Sequence, residues 1–501
     1  MIVSLAISHL MQLLTYRLLR ACWLILAGMP AVLSAQIIAN EQIFPVLDYN
    51  IYQYGYPLKV IPAEGGRFQY VEYWTDSAAS RPIANYYLQT YTRQYAEQNY
   101  QPITKPGRPV MQVRDLLSLA PGAVVIGTQE RADGLPHTVA AFFDADGEHT
   151  RDSLAQLSCY DRKPRRNYRE WIEVSPKGSY LIWMCRNGKD HFASVWTKRG
   201  EEVWHNFLAL PYLKDKYNLA DVAVDDDGTP YFLMMPDKPD PGQPLMLLSY
   251  QDTAQHYQEL AITPDAAGVV RQADLHLAPD QAILVAGTIE REGSPLLRNG
   301  AELDEEVGWS HVFLSRYDRK IRYDLPAEIT FRYHAVHALP EEWITRYGEE
   351  GANFADYRLV VTNELVIFMA EEQYQRKDRW YCYDLTLHAL TLADGSLRWR
   401  RTIDKRQRDR GSSSLLSYVA GIARGKLRIV YLTERGASGK LNCTSIDLRD
   451  GQRRDKYLAS NETSRYLCFP SRSGMVSDDE MVLIGLGNPG QNDYKLITVR
   501  F

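Results

Sequence analysis

The sequence predicts an all-β protein, a β-propeller of seven or eight four-stranded blades. Three observations predict this fold. A module of roughly 45 to 50 residues recurs along the chain, within the range of propeller blades. Short apolar strands alternate with turns rich in Gly, Pro, Asn and Asp. The 501 residues include 33 Tyr against 13 Phe and 10 Trp, and tyrosine suits half-buried strands because its ring packs while its hydroxyl stays wet.

The clearest copy of the module begins at Trp171 and reads as an antiparallel meander. Its predicted turns are Ser175-Pro176-Lys177-Gly178, Arg186-Asn187-Gly188-Lys189 and Lys198-Arg199-Gly200. Its predicted strands are Ile172 to Val174, Ser179 to Cys185, His191 to Thr197 and Glu202 to Leu208. A four-stranded sheet of this size is too small to be stable alone, whereas neighbouring blades around an axis bury both of its faces.

The first hairpin of the module returns along the rest of the chain. Its predicted turns are Pro121-Gly122, Asp225-Asp226-Asp227-Gly228, Ala278-Pro279-Asp280, Thr362-Asn363, Arg424-Gly425 and Ser477-Asp478-Asp479. This pattern gives about eight modules, or seven if the first is not a full blade. Because the last module is one strand short, we expect a segment within Gln36 to Val60 to close the ring. Residues 36–501 then form one propeller domain, with insertions at 293–308 and 339–354.

The first 35 residues are typical of a secretory signal peptide. They hold Arg17 and Arg20, no acidic residue, and an apolar run from Ala21 to Leu33 that ends in Leu33-Ser34-Ala35. The run is too short for a membrane span and contains Pro30, which favours cleavage over anchoring. We therefore expect export to the periplasm, the outer-membrane surface or the medium, with no transmembrane segment in the mature chain.

Net charge and cysteine spacing argue against a nucleic-acid-binding protein and against a dense disulfide framework. Loss of Arg17 and Arg20 takes the net charge from −5 to −7, which argues against a nucleic-acid binder. The cysteines that remain after cleavage are Cys159, Cys185, Cys382, Cys443 and Cys468. Their wide spacing predicts buried thiols with at most one bridge between neighbours.

Three motifs resemble cofactor or metal sites, but their context favours structural roles. Gly485 to Gly490 matches GxGxxG, yet a strand rather than a helix follows it. Asp144 to Gly147 and Asp225 to Gly228 resemble calcium loops without the rest of the ligand frame, and Asp-Gly is expected in hairpin turns. His334 and His337 have no evident third ligand. We predict no metal and no cofactor.

Aromatic and basic residues supply the candidate binding site. Trp380, Tyr381 and Tyr383 offer ring faces for stacking on a sugar or peptide. Trp399, Arg400 and Arg401 belong to the most basic run of the chain, Arg398 to Arg410, which could hold a polyanion. Packing within a strand explains the aromatic group equally well, and the alternative for the basic run is a strand that ends in a solvated, partly self-neutralised loop. No catalytic residue is evident.

The segment Trp380 to Gln407, with its aromatic strand and its Ala393-Asp394-Gly395-Ser396-Leu397-Arg398-Trp399 turn, resembles a group of uncharacterised exported propeller proteins of the Bacteroidetes type. The resemblance covers roughly Asp152 to Phe501 and implies a propeller fold and export. The Asp-Gly turn before Trp399 is also similar to the turns of quinoprotein dehydrogenase propellers. The tryptophan motif is not repeated in every blade, so the resemblance does not extend to a quinone cofactor.

Two functions follow from the sequence. The first is a non-enzymatic binding or scaffold protein of the bacterial cell envelope, with an envelope protein or a glycan as its partner. The second is a propeller enzyme, a glycan-acting hydrolase or lyase, with its site at the central channel mouth. An enzyme requires catalytic groups that converge on the axis, so the two hypotheses differ in what the channel should contain. The sequence leaves the ligand and the oligomeric state open.

Overall fold

The structure, a computed structural model, describes most of the chain after the predicted signal segment. The described residues are 37–45, 58–75, 84–94, 97–104, 111–130, 134–157, 168–188, 190–208, 217–250, 257–291, 310–322, 325–339, 357–376, 379–410, 416–434, 440–460, 467–486 and 493–501. The predicted insertion 293–308 lies outside these ranges, as do residues 1–35 and all of 339–354 except Leu339.

Eight antiparallel sheets form the protein, and blades 1 to 4 follow one another along the chain. Blade 1 contains β2 (Val60–Ala63), β3 (Arg67–Thr75), β4 (Ala84–Tyr91) and β5 (Glu97–Pro102); blade 2 contains β6 (Met111–Leu119), β7 (Gly122–Glu130), β8 (Pro136–Phe143) and β9 (Ala155–Gln156); blade 3 contains β10 (Arg169–Val174), β11 (Tyr180–Asn187), β12 (Asp190–Thr197) and β13 (Glu202–Phe207); blade 4 contains β14 (Tyr217–Val224), β15 (Pro230–Pro236), β16 (Leu245–Tyr250) and β17 (Tyr257–Ile262).

Blades 5 to 8 complete the set, and blade 6 has a fifth strand. Blade 5 contains β18 (Gly268–Leu277), β19 (Ile283–Arg291), β20 (His311–Arg322) and β21 (Leu325–Ala338); blade 6 contains β22 (Tyr357–Val361), β23 (Leu365–Arg376), β24 (Arg379–Thr391), β25 (Leu397–Ile403) and β26 (Gln407–Arg410); blade 7 contains β27 (Tyr418–Ala423), β28 (Lys426–Leu432), β29 (Lys440–Asp447) and β30 (Arg453–Ser460); blade 8 contains β31 (Gly474–Ser477), β32 (Glu480–Leu486), β33 (Asp493–Arg500) and β1 (Ile37–Pro45).

This architecture confirms the predicted all-β propeller and sets the number of blades at eight. The helical turns in the described ranges are two short 3-10 segments, Glu64–Gly66 and Pro470–Arg472. None of the helical segments in these ranges has the length and apolar character needed to cross a membrane.

The hydrophobic core is divided among the gaps between blades. Each of eight clusters of buried side chains joins two neighbouring blades, including blades 8 and 1. Strand β11 shows how the alternation of a strand produces this arrangement. Its Leu181 and Trp183 pack toward blade 2, and Ile182 and Met184 pack toward blade 4. A continuous apolar run therefore serves two interfaces.

The ring closes through the two ends of the described chain. β1 pairs antiparallel with β33, with Ile37 opposite Arg500, and forms the outer strand of blade 8. On the inner side, β2 of blade 1 lies against β31 of blade 8. The first strand of each blade lines the central channel, so side chains on these strands meet around the axis.

Candidate functional site in the central channel

Four carboxylates from four consecutive blades lie near one another on the inner strands. They are Asp115 on β6, Glu173 on β10, Asp221 on β14 and Asp274 on β18. Asp115, Asp221 and Asp274 all act electrostatically on Glu173 and raise its pKa. We call these four residues the channel carboxylates.

Glu173 is the most perturbed of the channel carboxylates. Burial, followed by the negative charge of Asp221, raises its pKa from 4.5 to about 7. The Glu173 side chain is exposed, but the protein around its carboxyl group disfavours the charged form. Near neutral pH, Glu173 therefore exchanges its proton readily.

Asp221 is held by the backbone of two blades. Its Oδ1 accepts the N–H of Val222 at 2.8 Å, and its Oδ2 accepts the N–H of Leu275 on β18 at 2.8 Å. Burial raises the pKa of Asp221 to about 6, although these two N–H groups act in the opposite direction. The carboxylate is thus fixed in orientation but poorly compensated in charge.

The surroundings of the channel carboxylates include one lysine and one histidine. Lys59 Nζ lies 3.2 Å from Asp115 Oδ1 and joins blade 1 to blade 2. The charge of Lys59 also lowers the pKa of Glu173. His276 follows Asp274 by two positions on β18, and burial lowers its pKa to about 4, which keeps the ring neutral at pH 7. Lys59 acts on Glu173 and Asp115, and the positive charge of Arg169 on β10 lowers the pKa of Asp221.

A neighbouring carboxylate on the same strands is fully compensated. Glu170 on β10 forms an ion pair with Arg114 at 2.7 Å, and its other oxygen accepts the hydroxyls of Thr138 and Tyr168. Glu170 therefore links blades 2 and 3.

The six residues predicted from the sequence fall into two groups on blade 6. Trp380, Tyr381 and Tyr383 lie near the start of β24. Trp399, Arg400 and Arg401 lie on β25, with Trp399 opposite Ala389. Nine positions of β24, about 30 Å, separate Trp380 from Ala389, and four positions, about 13 Å, separate Tyr383 from Leu387, the partner of Arg401. The structure does not bring the two groups together.

The second group holds blades together. Trp399 is buried, and its Nε1 donates to the carbonyl oxygen of Leu448 in blade 7 at 3.0 Å. Its ring packs on Gly451, where a Cβ atom would lie 2.7 Å from the ring. Arg401 Nε donates to the carbonyl oxygen of Gly451 at 2.6 Å. Arg400 donates to the carbonyl oxygen of Ala338 in blade 5 at 2.9 Å.

The turns that resemble calcium loops have protein partners. Asp225 is buried, and Arg319 from blade 5 lies 2.9 Å from both Asp225 and Asp227. Asp225 also accepts the hydroxyl of Tyr231 at 2.9 Å. In the other turn, Asp144 Oδ1 accepts the backbone N–H groups of residues 146 and 148 at 2.9 Å. Both turns are explained by hairpin geometry.

The two histidines of the His334-Ala335-Val336-His337 motif have separate partners. They lie three positions apart on β21, and odd spacing places them on opposite faces of a strand. His334 Nδ1 contacts the Ser315 hydroxyl, and His337 Nε2 contacts the carbonyl oxygen of Gly395, both at 2.7 Å. In the described part of the chain, no three His, Cys, Asp or Glu residues are placed to hold a metal ion. The GxGxxG match lies outside the described residues from position 487 onward.

The thiols also divide into two kinds. Cys185 is disulfide-bonded. Cys382, Cys443 and Cys468 are free and buried, and burial raises the pKa of each thiol to about 12. These three thiols are unreactive packing residues.

No protein-family model matches the sequence, and no characterised protein is detectably similar to it in sequence. Several solved structures are similar in fold. The WD40 domain of SCAP from fission yeast is 10% identical, with 92% of this chain and 94% of that one covered and a TM-score of 0.42. A protein of unknown function from Dyadobacter fermentans is 7% identical, with 94% and 100% covered and a TM-score of 0.33. The polysaccharide lyase Uly1 is 10% identical, with 90% of each chain covered and a TM-score of 0.38. These values assign no function.

The protein is thus an eight-bladed β-propeller with a carboxylate-rich channel, a feature that sequence reasoning missed. One signal was present: Asp followed by Leu or Val recurs shortly before the first turn of three modules, at Asp115, Asp221 and Asp274. Glu173 lies outside that pattern.

Proposed function

We propose that this protein is a binding protein of the bacterial cell envelope and that its ligand enters the central channel. The convergence of the four channel carboxylates, with Lys59 and Arg169 as the positive charges that act on Glu173 and Asp221, carries the proposal. Ionisable groups with strongly perturbed pKa values cluster at functional sites more than elsewhere. A negative site of this kind favours a ligand with a positively charged group.

The raised pKa values of Glu173 and Asp221 define how such a ligand would bind. A cation that reaches the channel carboxylates would stabilise their charged forms and lower both pKa values. Binding near pH 7 would therefore release a proton, and affinity would increase between pH 6 and pH 8.

Two observations support export. The first 35 residues have the pattern of a signal peptide. Cys185 is disulfide-bonded, and disulfides persist in oxidising compartments outside the cytoplasm. The resemblance to exported Bacteroidetes-type propellers agrees with both.

The second candidate is a glycan-acting hydrolase or lyase, and Glu173 is the observation that favours it. A carboxyl group with a pKa of about 7 suits a general acid or base at neutral pH. Asp221, with a pKa of about 6, would be mostly ionised beside it. Hydrolysis of a glycosidic bond uses one protonated carboxyl group as general acid and one ionised carboxylate as base or nucleophile.

Calorimetric titration of the mature protein with spermidine, arginine and choline tests the binding proposal. We expect at least one cationic probe to bind, with proton release at pH 7, and Asp221→Asn to weaken binding about tenfold. Asp237→Asn, at an exposed residue of the turn after β15, is the matched control. Absence of binding by the wild type, or equal binding by Asp221→Asn, would contradict the proposal.

Release of reducing ends from polysaccharides separates the two candidates. Turnover that Glu173→Gln abolishes would establish the enzyme. Binding without turnover would leave the binding protein as the function.

A further inference from the structure

Blade 6 extends beyond the common blade plan. Its strands β23 and β24 are 12 and 13 residues long. β26 pairs with the first part of β24, from Arg379 opposite Arg410 to Cys382 opposite Gln407. The other seven described sheets have four strands. β26 is therefore an additional strand at one end of the blade 6 sheet.

The two faces of the β24–β26 pair differ in the burial of their side chains. Gln407 and Asp409 on β26 are buried, whereas Arg408 between them is exposed. Directly opposed residues of an antiparallel pair share a face. Cys382 lies opposite Gln407 and faces inward, while Tyr381 lies opposite Arg408. Tyr381 therefore belongs to the outward face, and so does Arg379 because strand side chains alternate. Tyr383 lies at a bulge of β24, and its ring contacts that of Tyr381.

The inward face is anchored by a buried polar network. Lys405 forms an ion pair with Glu371, and its Nζ also donates to Gln407 Oε1 at 2.9 Å. Gln407 Nε2 donates to the carbonyl oxygen of Leu432 in blade 7 at 2.8 Å, and Gln407 Oε1 accepts the N–H of Ser417 at 2.7 Å. These buried polar contacts tie the inward face to blade 7 and rigidify the sheet. The outward face is thus preorganised.

The outward face combines guanidinium groups with aromatic rings. Arg408 is exposed and Arg379 is half-buried. The rings of Tyr381 and Tyr383 meet edge to face, with centroids 5.8 Å apart. Arg406, which precedes β26, is also exposed. Asp404, two positions before Arg406, is exposed as well. We call Arg379, Tyr381, Tyr383 and Arg408 the outer face of blade 6.

We propose that the outer face of blade 6 binds an acidic polysaccharide. Guanidinium groups pair with carboxylates in a planar, bidentate geometry. Tyrosine presents a broad apolar ring face on which a sugar ring can pack, and its hydroxyl bonds to sugar hydroxyls. Charge complementarity and ring stacking together favour a polymer of uronic acids over a neutral glycan or an acidic peptide. This site is separate from the channel carboxylates.

Affinity electrophoresis of the full mature chain in gels that contain alginate tests this inference. We expect alginate to retard the protein, neutral dextran to have no effect, and polyglutamate to bind at least tenfold more weakly than alginate. Tyr381→Ala and Arg408→Gln should each reduce alginate affinity about tenfold. The controls are Tyr457→Ala and Arg454→Gln, which change exposed residues of β30, and they should bind as the wild type does.

Three results would overturn the inference: no retardation by alginate, equal affinity for polyglutamate and alginate, or unchanged binding by both blade 6 variants. Circular dichroism of each variant ensures that a loss of binding is not a loss of folding. Asp221→Asn should retain alginate binding, so failure of the channel proposal and failure of this one can be told apart.

Discussion

Carboxylates lie inside the ring at two places, the interface between blades 8 and 1 and the channel lined by blades 2 to 5. At the interface the carboxylate has hydrogen-bond donors, whereas in the channel the carboxylates face other negative charges. At the interface, Glu72 is buried and accepts hydrogen bonds from Tyr494, at 2.8 Å, and from Gln89. The hydroxyls of Tyr70 and Tyr494 lie 3.2 Å apart. Burial raises the pKa of both tyrosines well above 10, so they remain protonated donors. In the channel, Glu173 and Asp221 repel each other.

The comparison separates structural from functional polar groups. A buried network in which each member has a partner stabilises and specifies a fold. A group of like charges destabilises the fold that contains it and persists where it has another role. The blade 8–blade 1 network therefore serves ring closure, and the like charges of the channel are the reason for the binding proposal.

We expect the largest effect on stability from a substitution in the blade 8–blade 1 network. Tyr494→Phe should lower the free energy of unfolding by about 2 kcal/mol, because Glu72 then keeps its burial but loses a donor. Urea unfolding monitored by tryptophan fluorescence measures the change. Tyr457→Phe, at a residue that is 51% exposed, should change stability by less than about 0.5 kcal/mol. A loss at position 494 no larger than that of the control would break the comparison.

In the channel, we expect a substitution to raise the free energy of unfolding rather than lower it. The pKa of Glu173 is raised from 4.5 to about 7, so the native state binds this proton more tightly than the unfolded state. Stability should therefore fall as pH rises through this interval. Glu173→Gln removes the effect. The variant should match the wild type near pH 4.5 and exceed it by about 1 kcal/mol at pH 8, after allowance for screening by channel water.

Unfolding of the wild type and Glu173→Gln at both pH values provides the measurement. A variant that is less stable than the wild type at pH 8 would show that Glu173 has an undetected partner. The channel carboxylates would then resemble the blade 8–blade 1 network.

We expect the smallest effect on stability at the Lys59–Asp115 ion pair, at the edge of the channel site. Lys59 and Asp115 have side chains that are 36% and 47% exposed, and such ion pairs contribute about 0.5 kcal/mol or less. Lys59→Met should hardly change stability, but it should move the titration midpoint of Glu173 above that of the wild type because the lysine charge lowers this pKa. Carboxyl NMR titration reports the midpoint. An unmoved midpoint would indicate that Lys59 does not act on the site.

Much of the fold could be predicted because hairpin turns are encoded locally. The turn Ser175-Pro176-Lys177-Gly178 joins β10 to β11, and Gly178 has φ +68°, a conformation that favours glycine. The predicted third strand His191 to Thr197 corresponds to β12, Asp190–Thr197. Strand patterns and turn residues therefore fixed the repeating unit, because each depends on neighbours within about ten residues.

The channel site could not be predicted because its members are distant in sequence. Asp115, Glu173, Asp221 and Asp274 occur about 50 residues apart, and each alone is an ordinary polar residue of a strand. Only ring closure brings them together. The fifth strand of blade 6 was missed for a different reason: β26 has four residues and a strongly basic sequence, so the run was interpreted as the end of a strand followed by a solvated loop.

Pairing of β1 with β33 imposes an order on synthesis and folding. Ile37 lies opposite Arg500, 463 positions later, so blade 8 is completed only after the ribosome has translated nearly the whole chain. Until then β1 has no partner, and once β33 has been synthesised its edge stays open to other strands until β1 pairs with it, because long-range pairing of this kind forms slowly. The other blades can form as their hairpins are synthesised, whereas the ring closes in one late step, when β1 pairs with β33. An extended peptide that mimics β1 would therefore act during biogenesis, as a competitor for the edge of β33, rather than on the closed ring.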